Sequence, residues 1–129
     1  MKTNRDIVFL DRPASIISTL PTAAEKCVDG TPMQTFHQYF QSDDQQFYVG
    51  IWECSVGSFR VEFTEHEFIH LLAGRVTVED ALGERSVLLP GMHLMIPAGF
   101  RGVWHIEEPV RKAFVSYTKL GQAAAGSAQ

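Results

Sequence analysis

From Met33 onward the chain is a succession of short runs rich in Val, Ile, Phe, Tyr and Trp, each closed by glycine, proline or a polar turn. Such residues fit a pleated, half-buried surface, and runs this short cannot complete a helical face. The runs are Gln34–Phe40, Phe47–Cys54, Ser58–Phe63, Glu67–Leu72, Arg75–Glu79, Arg85–Leu89, His93–Ile96, Phe100–Ile106 and Arg111–Thr118. Ser42-Asp43-Asp44, Gly57, Thr64-Glu65, Ala73-Gly74, Leu82-Gly83, Pro90-Gly91, Pro97-Ala98-Gly99 and Glu107-Glu108-Pro109 separate them. About nine strands at spacings of roughly 8–12 residues predict an all-β antiparallel sandwich or barrel, residues 31–120. Residues 1–30 read as a short irregular N-terminal arm of the same domain. Within it, Ile7–Leu10 and Ser15–Leu20 are predicted strands, and Thr22–Val28 a short helical stretch. Residues 121–129, Gly/Ala/Ser/Gln without a large apolar side chain, are predicted to be a disordered tail.

At 129 residues the chain is long enough to bury one core without staples. Its net charge of -4 and the lack of any Lys/Arg cluster argue against a nucleic-acid or anionic-membrane partner. No apolar run approaches a signal-peptide core or a membrane span, so a cytoplasmic location is expected. Cys27 and Cys54 are then expected as free thiols.

His66-Glu67-Phe68-Ile69-His70 matches the zinc-protease pattern H-E-x-x-H letter for letter. That chemistry requires a helix, which places both imidazoles on one face. Here the motif follows Phe59-Arg60-Val61-Glu62-Phe63 and runs into Leu71-Leu72-Ala73-Gly74 and a β-branched segment. On a strand the two histidines would be roughly 13 Å apart, too far to share one zinc. The histidines are expected outside any metal site.

The same stretch resembles the first motif of the cupin superfamily, which ends in Glu, six residues, then Gly: Glu67 to Gly74. The second motif, Gly-x5-Pro-x-Gly, is met by Gly91, Pro97 and Gly99. Gly50-Ile51-Trp52-Glu53-Cys54, Pro97-Ala98-Gly99-Phe100 and Val103-Trp104 are similar to small cupins of the ureidoglycine aminohydrolase and ethanolamine-utilisation type. The resemblance implies a cupin double-stranded β-helix, a jelly-roll-like antiparallel barrel around a small-molecule pocket. It also implies a homodimer formed through N-terminal strands and sheet edges.

The family's metal set is three histidines and a glutamate, and this chain departs from it. The first two histidine positions fall on Arg60 and Glu62, or in the other spacing on Val61 and Phe63; the last ligand position falls on Gly102. Only Glu67 remains. In the first register Arg60, Glu62, Glu67 and Trp104 share the barrel interior, with Trp52 as a second aromatic wall. That cluster would hold a small polar metabolite. In the other, Phe59, Val61 and Phe63 are core and Arg60 and Glu62 face water. Two classes of function follow: a metal-free binding cupin, or an enzyme of amine or ureide metabolism holding a divalent ion (manganese, iron or nickel) weakly on Glu62 and Glu67. The fold does not choose between them, nor whether there is catalysis.

Overall fold

The computed structural model describes residues 1–119. The predicted tail, 121–129, lies outside them. The described residues form nine strands: β1 (Ile16–Pro21), β2 (Cys27–Asp29), β3 (Met33–Gln41), β4 (Phe47–Cys54), β5 (Gly57–Glu62), β6 (His66–Asp80), β7 (Arg85–Leu88), β8 (His93–Ile96) and β9 (Arg101–Tyr117). Short 3-10 turns occupy Asn4–Asp6 and Ala24–Lys26. The predicted strand Ile7–Leu10 does not form. Its apolar residues Ile7, Val8 and Phe9 are exposed and gain no burial from pairing.

Every strand pairing is antiparallel. The first half of β6 and the second half of β9 lie side by side and carry β8 on one flank and β4, β3 and β1 on the other. The remaining halves of the same two strands carry β7 on one side and β5 and β2 on the other. Two sheets that share their central strands are therefore folded over one another. Trp52 of the first sheet meets Trp104 of the second at 5.8 Å between ring centroids, edge to face. Around them the core gathers Phe59, Phe63, Ile69, Leu71, Val76, Ile106 and Phe114, each almost fully buried.

The long strands replace two predicted turns. Ala73-Gly74 and Glu107-Glu108-Pro109 do not reverse the chain; they are bends within β6 and β9, which face each other. The ladder skips register between Leu71 and Ala73, between Ala73 and Arg75, and between Arg75 and Val76. Such bulges let an antiparallel pair turn a corner, and proline, lacking an N–H, fits where ladder bonds are already interrupted. Gly74 has φ +93°, and a Cβ there would stand 2.3 Å from the Pro109 carbonyl oxygen.

The N-terminal arm is tied to the core through buried polar groups. Trp52 Nε1 donates to Gln34 Oε1 at 3.1 Å, Gln34 Nε2 donates to Thr22 Oγ1 at 2.9 Å, and Thr22 Oγ1 donates to the Pro32 carbonyl at 2.7 Å. This chain of bonds fixes the Trp52 indole plane. No helix among the described residues is long and apolar enough to cross a membrane.

Gly74→Ala should lower unfolding free energy by at least about 2 kcal/mol, since strain and a backbone clash act together. Gly83→Ala is the comparison: its φ is +85° but nothing lies within 4 Å. In urea unfolding Gly74→Ala should lose clearly more than Gly83→Ala; equal losses would refute the packed corner.

Candidate functional site

Strand alternation decides which side chains enter the barrel. From Phe59 to Ile69 buried and exposed residues alternate without a break, straight through the bend at Thr64-Glu65. Phe59, Val61, Phe63, Glu65, Glu67 and Ile69 are inside; Arg60, Glu62, Thr64, His66 and Phe68 are outside. The register with Val61 and Phe63 inward is the one the chain adopts.

Arg60 and Glu62 therefore do not join Glu67. Arg60 Nη1 donates to the Glu25 carbonyl at 3.4 Å, and Glu62 pairs with Arg101 at 3.0 Å on the surface. With Lys26 and Asp80 they line an outer groove of about 360 Å³. Pleating is the physical reason: Val61 and Glu67 are an even number of positions apart, so an inward Glu67 forces the odd positions inward. Glu62 and Glu67 lie on opposite faces of the barrel wall and cannot share one ion.

Glu67, Trp52 and Trp104 are all completely buried in the barrel interior. At their centre is Lys112, which beside Arg111 reads as ordinary surface charge. Its side chain has no solvent exposure, and Nζ donates to Glu67 Oε2 at 2.7 Å. Aromatic rings enclose it: Nζ is 4.6 Å from the centroids of both Trp52 and Trp104, 5.7 Å from Phe114 and 5.9 Å from Phe63. In the register Lys112 lies opposite Trp52 on β4 and Leu71 on β6, while Glu67 lies opposite Ser116.

Burial pulls the Lys112 ammonium below the ordinary lysine range, and the Glu67 carboxylate opposes that shift. Desolvating such a pair costs several kcal/mol per ion, and it persists because attraction in a poorly screened interior and the ring faces offset that cost. Burial likewise pushes the neighbouring Cys54 thiol up to about 12, with Lys112 pulling the other way. Glu65 is also buried. It bears on half-buried Tyr48, whose hydroxyl is raised first by desolvation and then by the Glu65 charge. Tyr48 stacks on Phe114 at 5.6 Å. Two further polar atoms complete the interior: Trp104 Nε1 and Ser116 Oγ are buried and have no hydrogen-bond partner among the described residues.

A resident metal of the three-histidine, one-glutamate kind does not fit this chain. Its donor positions hold Val61, Phe63 and Gly102 beside Glu67, and Glu67 is already engaged by Lys112. At Gly102 a Cβ would stand 2.1 Å from the Glu79 carbonyl oxygen, so no ligating side chain could be built there without moving β6. No group of three or more His, Cys, Asp or Glu among the described residues is arranged to hold an ion. The H-E-x-x-H letters lie on strand β6, so the helix a zincin needs is absent.

Two shared-spine sheets folded around an inward glutamate, with glycines of positive φ at positions 74, 91 and 99, define a cupin barrel. Residues 41–114, more than half of the chain, match the EutQ-like cupin domain, and the protein belongs to that family. A protein of unknown function of the DUF861 family from Pseudomonas syringae pv. tomato is similar in structure, with TM-score 0.71 and 17% identity over 79% of this chain and 44% of that one. The EutQ protein of Clostridium difficile gives TM-score 0.60 at 16% identity, covering 67% of this chain and 69% of that one. A putative ethanolamine utilization protein EutQ from Salmonella typhimurium gives 0.58 at 18%, covering 68% and 70%. At these identities the likeness is one of fold. This chain spans less than half of the Pseudomonas protein, and no curated protein is significantly similar to it in sequence.

The Lys112–Glu67 pair makes a direct prediction. Lys112→Met should cost about 3–5 kcal/mol, because the Glu67 charge stays buried without its cation. Lys112→Met combined with Glu67→Gln should recover a substantial part of that loss. Urea unfolding of both singles and the double checks this; simple additivity would show the pair is not coupled. The thiols offer a second check. In the native protein at pH 8 a thiol reagent should titrate at most Cys27, and Cys54 only after unfolding.

Proposed function

We propose that this cupin binds a small polar metabolite inside the barrel, with Lys112 as the cation that receives it. One observation carries the reading: two buried polar atoms without a hydrogen-bond partner, the Trp104 indole N–H and the Ser116 hydroxyl, accompany a buried ammonium. Buried polar atoms are rarely left unsatisfied; the indole N–H and the ammonium only donate, so they call for an acceptor, to which the hydroxyl can also donate. A carboxylate or carbonyl group on a compact molecule supplies it, while Trp52, Trp104 and Phe63 provide an apolar wall. Half-buried Tyr48, stacked on Phe114, is the natural door.

The metal-dependent alternative on Glu62 and Glu67 has no support in the geometry, because one carboxylate is outside and the other is paired with Lys112. The binding reading is tested by thermal shift and calorimetry with small carboxylates, amides and ureides. A binder should raise the melting temperature of the native chain, and Trp104→Phe, which keeps the ring but removes the N–H, should weaken it several-fold. A stoichiometric, chelation-resistant manganese, iron or nickel ion that is retained in His93→Ala and lost in Glu67→Gln would overturn the metal-free reading of the interior.

We further propose a homodimer built on β1. Among the described residues this strand pairs only with β3, leaving one backbone edge open, and Ile16, Ile17 and Leu20 are about half exposed. Open apolar edges invite pairing with a second copy. Light scattering should give twice the chain mass, and Ile17→Lys should shift it toward the monomer.

A further inference from the structure

Three of the five histidines are engaged on the barrel surface. His37 Nε2 meets Glu53 at 2.6 Å, His66 Nδ1 accepts from the Ala98 amide at 3.0 Å, and His105 bonds both Ser58 Oγ at 2.8 Å and Glu79 at 3.0 Å. His70 and His93 differ. They are directly opposite each other in the β6–β8 ladder, their ring centroids are 4.4 Å apart and the planes are tilted by 34°. Among the described residues neither ring makes a hydrogen bond, so their nitrogens are not committed. His93 is exposed and His70 half-buried, on the outer face away from Lys112.

We propose that His70 and His93 form a two-histidine site on the outside of the barrel for a late first-row divalent cation, copper(II) ahead of nickel and zinc. Imidazole suits these ions, and a two-nitrogen site without thiolate follows the order in which copper(II) binds most tightly. Bonds of about 2.0–2.1 Å place two cis ligand nitrogens roughly 2.9 Å apart in the tetragonal arrangement copper(II) prefers, and roughly 3.3 Å apart in zinc's tetrahedral one. Rings whose centroids are 4.4 Å apart reach either separation by side-chain rotation. The strand pairing holds both Cα positions, and Phe68 stacks along His93 at 6.4 Å, so little freedom is lost on binding. Water fills the other coordination positions.

The test titrates the chelator-stripped, full-length protein with copper(II) alone, followed by calorimetry and electron paramagnetic resonance. One equivalent should bind, with hyperfine structure from two nitrogen ligands. His93→Ala and His70→Ala should each weaken binding at least about tenfold and remove that signature. His66→Ala should leave both unchanged. Since His93 is exposed, His93→Ala by itself decides the matter if His70→Ala does not fold. Absence of stoichiometric binding would overturn the proposal, as would binding and a spectrum that survive His93→Ala. The barrel interior is not involved, so the outcome is independent of what Lys112 binds.

Discussion

The ladder between β6 and β9 is the constraint on which the rest of the barrel depends. These strands are 15 and 17 residues long, pair along most of their length, and serve as the central strands of both sheets. They can do so only by bending together, which is why Gly74 stands against Pro109 at the corner. Sharing the strands means the two sheets are not independent layers. The phase of alternation in one half of β9 sends Trp104 inward, and in the other half it sends Val110, Lys112, Phe114 and Ser116 inward. The interior chemistry is thus fixed by where the ladder bends, before any side chain is chosen to fill it.

Within that frame the chain has put an ammonium beside the one inward glutamate of β6. Lys112 differs from a metal ion in a specific way. It only donates hydrogen bonds and offers no open coordination position, so a molecule meeting it must bring an acceptor. It is also covalently part of the wall, hence always present. The aromatic rings on four sides do two jobs at once: their negative faces stabilise the cation, and their bulk keeps water from screening its attraction to Glu67.

Most strands were legible because β-branched runs and Gly/Pro punctuation are local signals. The two bends were not. Ala73-Gly74 and Glu107-Glu108-Pro109 look like chain reversals, and only their meeting across the corner distinguishes a bulge from a turn. The identity of the inward face was within reach. Carrying alternation unbroken from Glu67 back through Thr64-Glu65 makes Val61 and Phe63 inward and turns Arg60 and Glu62 out. The turn-like pair Thr64-Glu65 interrupts that phase locally and conceals the inward Glu65. Lys112 had a signal of the same kind, since Val110, Phe114 and Ser116 flank it at even spacing. Next to Arg111, however, it reads as ordinary surface charge. Trp104 and Ser116 as donors without partners depend on three-dimensional crowding that no local pattern encodes.

The same alternation explains what became of the H-E-x-x-H letters. On a helix their three chemical groups would converge. On β6 they part: Glu67 goes into the barrel to hold Lys112, while His66 and His70 go to the outer face. There His66 caps the Ala98 amide and His70 meets His93 on the neighbouring strand. A strand brings side chains together across the ladder rather than along the chain, since neighbours on one face of a strand are nearly 7 Å apart but adjacent strands are about 4.8 Å apart. A pair of ligands in a β-barrel is therefore found by register, and His70 with His93 is such a pair.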